Sequence, residues 1–152
     1  MTELVSTPGT PGTTMKRPQL LSPIVALAWA NAIIVLIMAL LGGRFFVEPD
    51  VIDVHGYIGN LFFVLVMVQA GLLVMAGISG GLGKALVGLA AVSVLLVIGQ
   101  LGLGYSGRES ATALSFHIPN GVLIFGLSVA IVSQLPHLRA GAAAAQDSTG
   151  AR

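Results

Sequence analysis

Two histidines stand in an otherwise apolar setting where an imidazole could ligate a metal: His55 and His117. Each heads the same short pattern. One reads His55-Gly56-Tyr57-Ile58-Gly59 and the other His117-Ile118-Pro119-Asn120-Gly121. On a helix, residues four apart share a face. Gly59 and Gly121 would therefore leave a gap one turn from each imidazole. A flat macrocycle held by the histidine needs such a gap, because a larger side chain would meet the ring. Arg44 precedes His55 and Arg108 precedes His117, each with a glycine before it. Arginine at that level could hold a propionate through paired N–H donors. The chemistry these residues suggest is coordination of a b-type haem, with His55 and His117 as axial ligands and iron cycling between ferrous and ferric. Asp53 is the one nearby carboxylate that could instead join the histidines around a transition-metal ion.

These residues need elements to position them, and the apolar runs supply four. They cover about 20–41, 52–78, 85–105 and 112–135. A helix needs roughly 20 residues to cross the hydrocarbon core of a bilayer. The runs do not alternate in polarity, as barrel strands would. Backbone groups in lipid must be satisfied within the segment, so each run is expected to be helical. The first run is too long for a cleaved signal peptide and lacks a convincing cleavage site. Residues 1–18, rich in Thr, Pro and Gly, and residues 139–152 are expected to be disordered tails.

Composition agrees with that architecture. Of 152 residues, 55% are hydrophobic and only 9% charged, against about 25% charged in a soluble domain. A net charge of +1 gives no footing for nucleic acid. The absence of cysteine excludes disulfides, covalently attached haem, iron–sulfur clusters and zinc–thiolate sites. The expected fold is all-α, an integral membrane up-down-up-down four-helix bundle in the cell (plasma) membrane. Lys16, Arg17, Lys84, Arg139 and Arg152 fall on one side, and Arg44 and Arg108 on the other. That bias puts both termini in the cytoplasm and the two histidines near the outer face.

Other polar and aromatic residues have plainer expectations. Gln69 and Gln100 should bond to each other at mid-membrane, with Asn31, Asn60 and Asn120 as further interhelical glue. Tyr57 and Tyr105 suit an interfacial belt. Trp29 should pack in the core, and His137 is expected to be interfacial trim. Pro119 either kinks the fourth helix or marks where it becomes regular.

The two histidine segments resemble one half of a haem A synthase, a family built as a tandem of four-helix units with a histidine on the second and fourth helix of each. The stretch from His117 to Gly126 is also similar to small bacterial four-helix membrane proteins. The resemblance covers about residues 20–136. It implies haem binding at His55 and His117. The family's catalytic glutamate lies four residues before the first histidine, where this chain has Val51, and the chain has one four-helix unit. A homodimer would recreate the eight helices.

The expected function is thus haem b binding for one-electron transfer, with quinol or a redox partner protein as the other party. A cofactor-free membrane scaffold or assembly subunit, and a haem-modifying enzyme, are the alternatives. A transporter is less attractive, because no charged residue falls at the bundle centre.

Overall fold

The computed structural model describes residues 17–78 and 84–150. It is all-helical over those residues, with α1 Arg17–Arg44, α2 Val51–Ile78, α3 Lys84–Ser106 and α4 Ala111–Gly150. Residues 1–16 of the expected N-terminal tail lie outside the described residues. The C-terminal tail differs from expectation, because α4 runs on to Gly150. The reason lies in Ala142, Ala143, Ala144 and Ala145: alanine is the best helix former, and an existing helix extends easily.

The four spans Leu21–Arg44, Val51–Ile78, Lys84–Ser106 and Ala111–His137 are each long and apolar enough to cross a membrane. Their outward faces are apolar too. Leu40, Leu95, Leu123 and Ile78 are all exposed, where a water-soluble bundle would place polar residues. Trp29 corrects an expectation, since it is 55% exposed and not part of the core. On a bundle whose outward faces are apolar throughout, an indole is not singled out for the interior.

The helices form a closed four-helix bundle. α1 packs on α2 and α4, and α3 packs on α2 and α4, while the diagonal pairs meet only through side chains at the bundle axis. Going along α1 toward Arg44, the core is layered. Ile24 and Ala28 join Leu73, Leu86, Ala90 and Leu135 in one cluster. Next comes a polar layer, where Asn31 Nδ2 donates to Gln69 Oε1. Then Val35 joins Phe62, Val66, Val97 and Ile124 in a second cluster. The expected Gln69–Gln100 bond does not form. Gln69 faces α1, and Gln100 is taken up by α4.

The polar layer yields a prediction. Asn31 is 2% exposed, and its Oδ1 has no partner. Asn31→Leu or Gln69→Leu alone should cost about 0.5–1.7 kcal/mol, because each strands the other side chain. The double Leu variant should cost less than the sum of the two. A double-mutant cycle in a reversible detergent-unfolding assay measures this, and strict additivity would count against the pair.

At the other end of the bundle, α4 begins with Ser110 as its cap, the hydroxyl accepting from Ala113 N–H at 3.3 Å. The helix is already formed at His117 and continues through Pro119. His117 is therefore a helical residue, held in a fixed direction.

Candidate functional site

His55 is the fifth residue of α2 and His117 the seventh of α4. These helices are diagonal, so side chains from both must enter the bundle axis to meet. They do meet. The imidazole centres lie 6.0 Å apart with the rings inclined at 55°. Both residues are half-buried.

Each ring rests on a glycine of the helix before it. A Cβ on Gly42 of α1 would stand 3.6 Å from His55 Cε1. A Cβ on Gly104 of α3 would stand 3.0 Å from His117 Cε1 and 3.4 Å from Nδ1. These two glycines make the space for the imidazoles. Gly59 and Gly121 sit one turn deeper, as their spacing implied. The gap at Gly59 meets the Met38 methyl and the gap at Gly121 meets Gln100 Nε2, each at 3.2 Å from a would-be Cβ.

An internal repeat accounts for this correspondence. Shifting α1–α2 by the interval from 55 to 117 superposes Met38 on Gln100, Gly42 on Gly104, His55 on His117 and Gly59 on Gly121. Buried positions follow the same shift: Ile24 matches Leu86, Ala28 matches Ala90, Val35 matches Val97, Phe62 matches Ile124 and Leu73 matches Leu135. The bundle is two copies of one helical hairpin, each supplying one histidine to the axis. The arginines do not share this register. Arg44 pairs with Glu48 one turn on. Arg108 reaches back to α2, where a terminal nitrogen lies 3.6 Å from Asp53 and beside Gly56. Arg108 thus lies over the N-terminus of α2, near His55, and Arg44 stays local.

The two imidazoles differ in hydrogen bonding. His117 Nδ1 is 3.2 Å from the Gln100 carbonyl, which can only accept, so Nδ1 carries the proton. The Nε2 lone pair then accepts from Gln100 Nε2 at 3.2 Å. Asn120 fixes that amide's orientation by donating to Gln100 Oε1 at 2.7 Å and to the Leu96 carbonyl at 3.0 Å. His55 has no such frame. The Met38 carbonyl, which occupies the repeat position of Gln100, interacts with the ring, but buried Nδ1 completes no hydrogen bond of good geometry.

Asp53 is engaged with Arg108. Among the described residues, no three His, Cys, Asp or Glu side chains gather closely enough to hold a metal ion by themselves. Any metal at this centre would draw on the two imidazoles and on ligands from outside the chain. Tyr105 and Asn60 form a separate outward link between α3 and α2 at 3.1 Å. His137 is exposed, far along α4 from this centre.

No family model, curated protein or solved structure matches this chain. The reading of the site therefore stands on its own geometry.

Proposed function

We propose that this chain spans the plasma membrane as an up-down-up-down bundle with cytoplasmic termini, and that it binds one b-type haem between His55 and His117 near the outer face for one-electron transfer. The contacts between neighbouring helices support the topology. Residue numbers fall on one helix as they rise on the next: Asn31 meets Gln69, Met38 meets Gly59 and Gly42 meets His55. The apolar outer surface supports insertion.

One observation carries the haem reading: two imidazoles from diagonal helices oppose each other across the axis with centres 6.0 Å apart. An imidazole nitrogen sits about 2 Å from the metal it ligates, so two rings on one metal have centres roughly 6 Å apart. Bundle cores are a common haem setting. The Nδ1 proton on His117, held by the Gln100 carbonyl, leaves Nε2 as the ligating nitrogen. His55, with Nδ1 unpaired, can turn to offer either nitrogen. Arg108 and Arg44 are about half exposed, and their present ion pairs are worth about 0–1 kcal/mol. Both could take a propionate at small cost. Bound haem would supply a ferrous–ferric couple, and two histidine ligands would leave no open position for oxygen.

A second observation favours the cofactor-free scaffold. His117 already has both ring nitrogens hydrogen-bonded within the chain. Haem binding requires the Gln100 amide to swing off Nε2. That competition is measurable. Gln100→Leu removes the amide but keeps the backbone carbonyl on Nδ1. Losing a competing bond of about 1 kcal/mol should tighten haem affinity about fivefold. A haem titration checks this, and weaker binding would make Gln100 a cofactor contact and not a cover.

The deciding experiment is a visible spectrum of detergent-purified protein, oxidised and dithionite-reduced, before and after haem addition. A Soret band with sharp reduced α and β bands supports the proposal. A protein that stays colourless with added haem leaves the scaffold reading.

A further inference from the structure

We propose that the cleft between α3 and α4 is a binding site for the ring of a lipid-soluble hydroquinone, with Asn120 Oδ1 accepting its hydroxyl. This rests on the haem reading for its redox purpose, but not for the binding itself.

The cleft has a volume of about 390 Å³ and opens outward between the two helices. In the proposed orientation its mouth faces acyl chains, so its ligand arrives from the bilayer. Leu96, Leu103, Phe116 and Pro119 make apolar walls, Gly99 lies on the α3 side, and Asn120 is the polar residue. A Cβ on Gly99 would meet nothing within 4 Å. A flat ring can therefore lie against bare α3 backbone beside Phe116.

Asn120 supplies one unfilled acceptor. Its two hydrogen bonds are both donated from Nδ2, to the Leu96 carbonyl and to Gln100 Oε1. Oδ1 accepts from no described residue. An acceptor in an apolar cleft selects a ligand that is lipophilic and carries a hydroxyl donor. Asn120 is also joined through Gln100 to His117 Nε2. A ring hydroxyl on Asn120 would stand three hydrogen bonds from the His117 imidazole while Gln100 covers Nε2.

The residues lining this cleft differ between the two hairpins. In α1–α2, the positions of Gly99, Pro119 and Asn120 are held by Ile37, Tyr57 and Ile58. The first copy thus carries bulk where the second is open, and an aliphatic side chain where the second has an amide. Generic packing between adjacent helices would give no reason for that divergence.

The test uses the full chain in lipid nanodiscs, with a decyl-substituted benzoquinol and its dimethyl ether as probes, read by equilibrium binding. The quinol should bind saturably and the ether at least tenfold more weakly. Asn120→Leu should weaken the quinol about tenfold and leave the ether unchanged. Gly99→Leu should abolish binding of both, and Gly71→Leu, at an open position on α2, should change neither. Equal binding of quinol and ether, indifferent to Asn120→Leu, would make the cleft an acyl-chain groove and overturn the proposal. So would a dimer that excludes the quinol and dissociates in Gly99→Leu. Haem content is read on the same samples by absorbance. Quinol binding without haem would sink the haem reading and keep the site, and haem without hydroxyl-dependent binding would do the reverse.

Discussion

His55→Ala and His117→Ala should each leave the purified protein with less than about a tenth of the haem expected of the wild type. Each change would remove one of the two proposed axial bonds, and the described residues offer no third His, Cys, Asp or Glu close enough to replace it. Neither change should unfold the chain. Alanine is a better helix former than histidine, and both positions lie inside regular helix. Neither ring belongs to the two buried apolar clusters. The two variants need not look alike in detail. His117→Ala frees the Gln100 amide and with it Asn120, whereas His55→Ala removes a ring whose Nδ1 closes no hydrogen bond of good geometry. Any residual pigment should therefore be greater in His55→Ala, where His117 keeps its Gln100 frame. His137→Ala should retain full haem, since that residue is exposed and remote from the site. The measurement is haem per protein with oxidised and reduced spectra, beside helicity as a folding check. A variant that keeps a six-coordinate low-spin spectrum at full occupancy would remove its histidine from the ligand set.

The four helices were legible because run length alone identifies them, and bilayer thickness sets that length. The histidine pair was legible because two residues of a rare type recur with the same neighbour four positions on. What surrounds them was not. Gly42 and Gly104 lie on the preceding helices, and in the sequence they are small residues among many in apolar runs. Only the fold shows that a ring rests on each. A signal did exist, since comparing the chain with itself at the interval from His55 to His117 aligns both glycines along with Gly59 and Gly121. Arg44 and Arg108 mask that signal, because they are out of its register. Trp29 was misplaced for a different reason. In water, an apolar side chain has a strong reason to turn inward. A chain with an apolar exterior loses that signal, and helix phase decides instead. The same phase decides hydrogen-bond partners, which is why Gln69 found Asn31 and Gln100 found Asn120.

The repeat has an asymmetry that gives the second large effect. Gly104→Ala should weaken haem affinity about 5- to 150-fold, whereas the equivalent change Gly42→Ala should weaken it less than about threefold. A Cβ at Gly104 would stand 3.0 Å from His117 Cε1, closer than carbon atoms normally pack. The ring cannot simply retreat, because its Nδ1 is held by the Gln100 carbonyl on the same helix as the new methyl. Inserting bulk into such a contact costs about 1–3 kcal/mol, which converts to the stated range if the strain falls on the ligand. At Gly42 the new carbon would lie 3.6 Å from His55 Cε1, an ordinary contact, and that ring lacks a comparable frame. Helix stability moves the other way, since alanine exceeds glycine in propensity by about 1 kcal/mol. Gly42→Ala should therefore fold at least as well as the parent, and in Gly104→Ala the same gain offsets part of the strain that the bundle carries. A loss of affinity in Gly104→Ala then reports on the imidazole. Haem titration of the two variants side by side makes the measurement. Equal affinities would mean that Gly104 serves only the approach of α3 to α4, and that His117 is free to move where the hydrogen bonds say it is held.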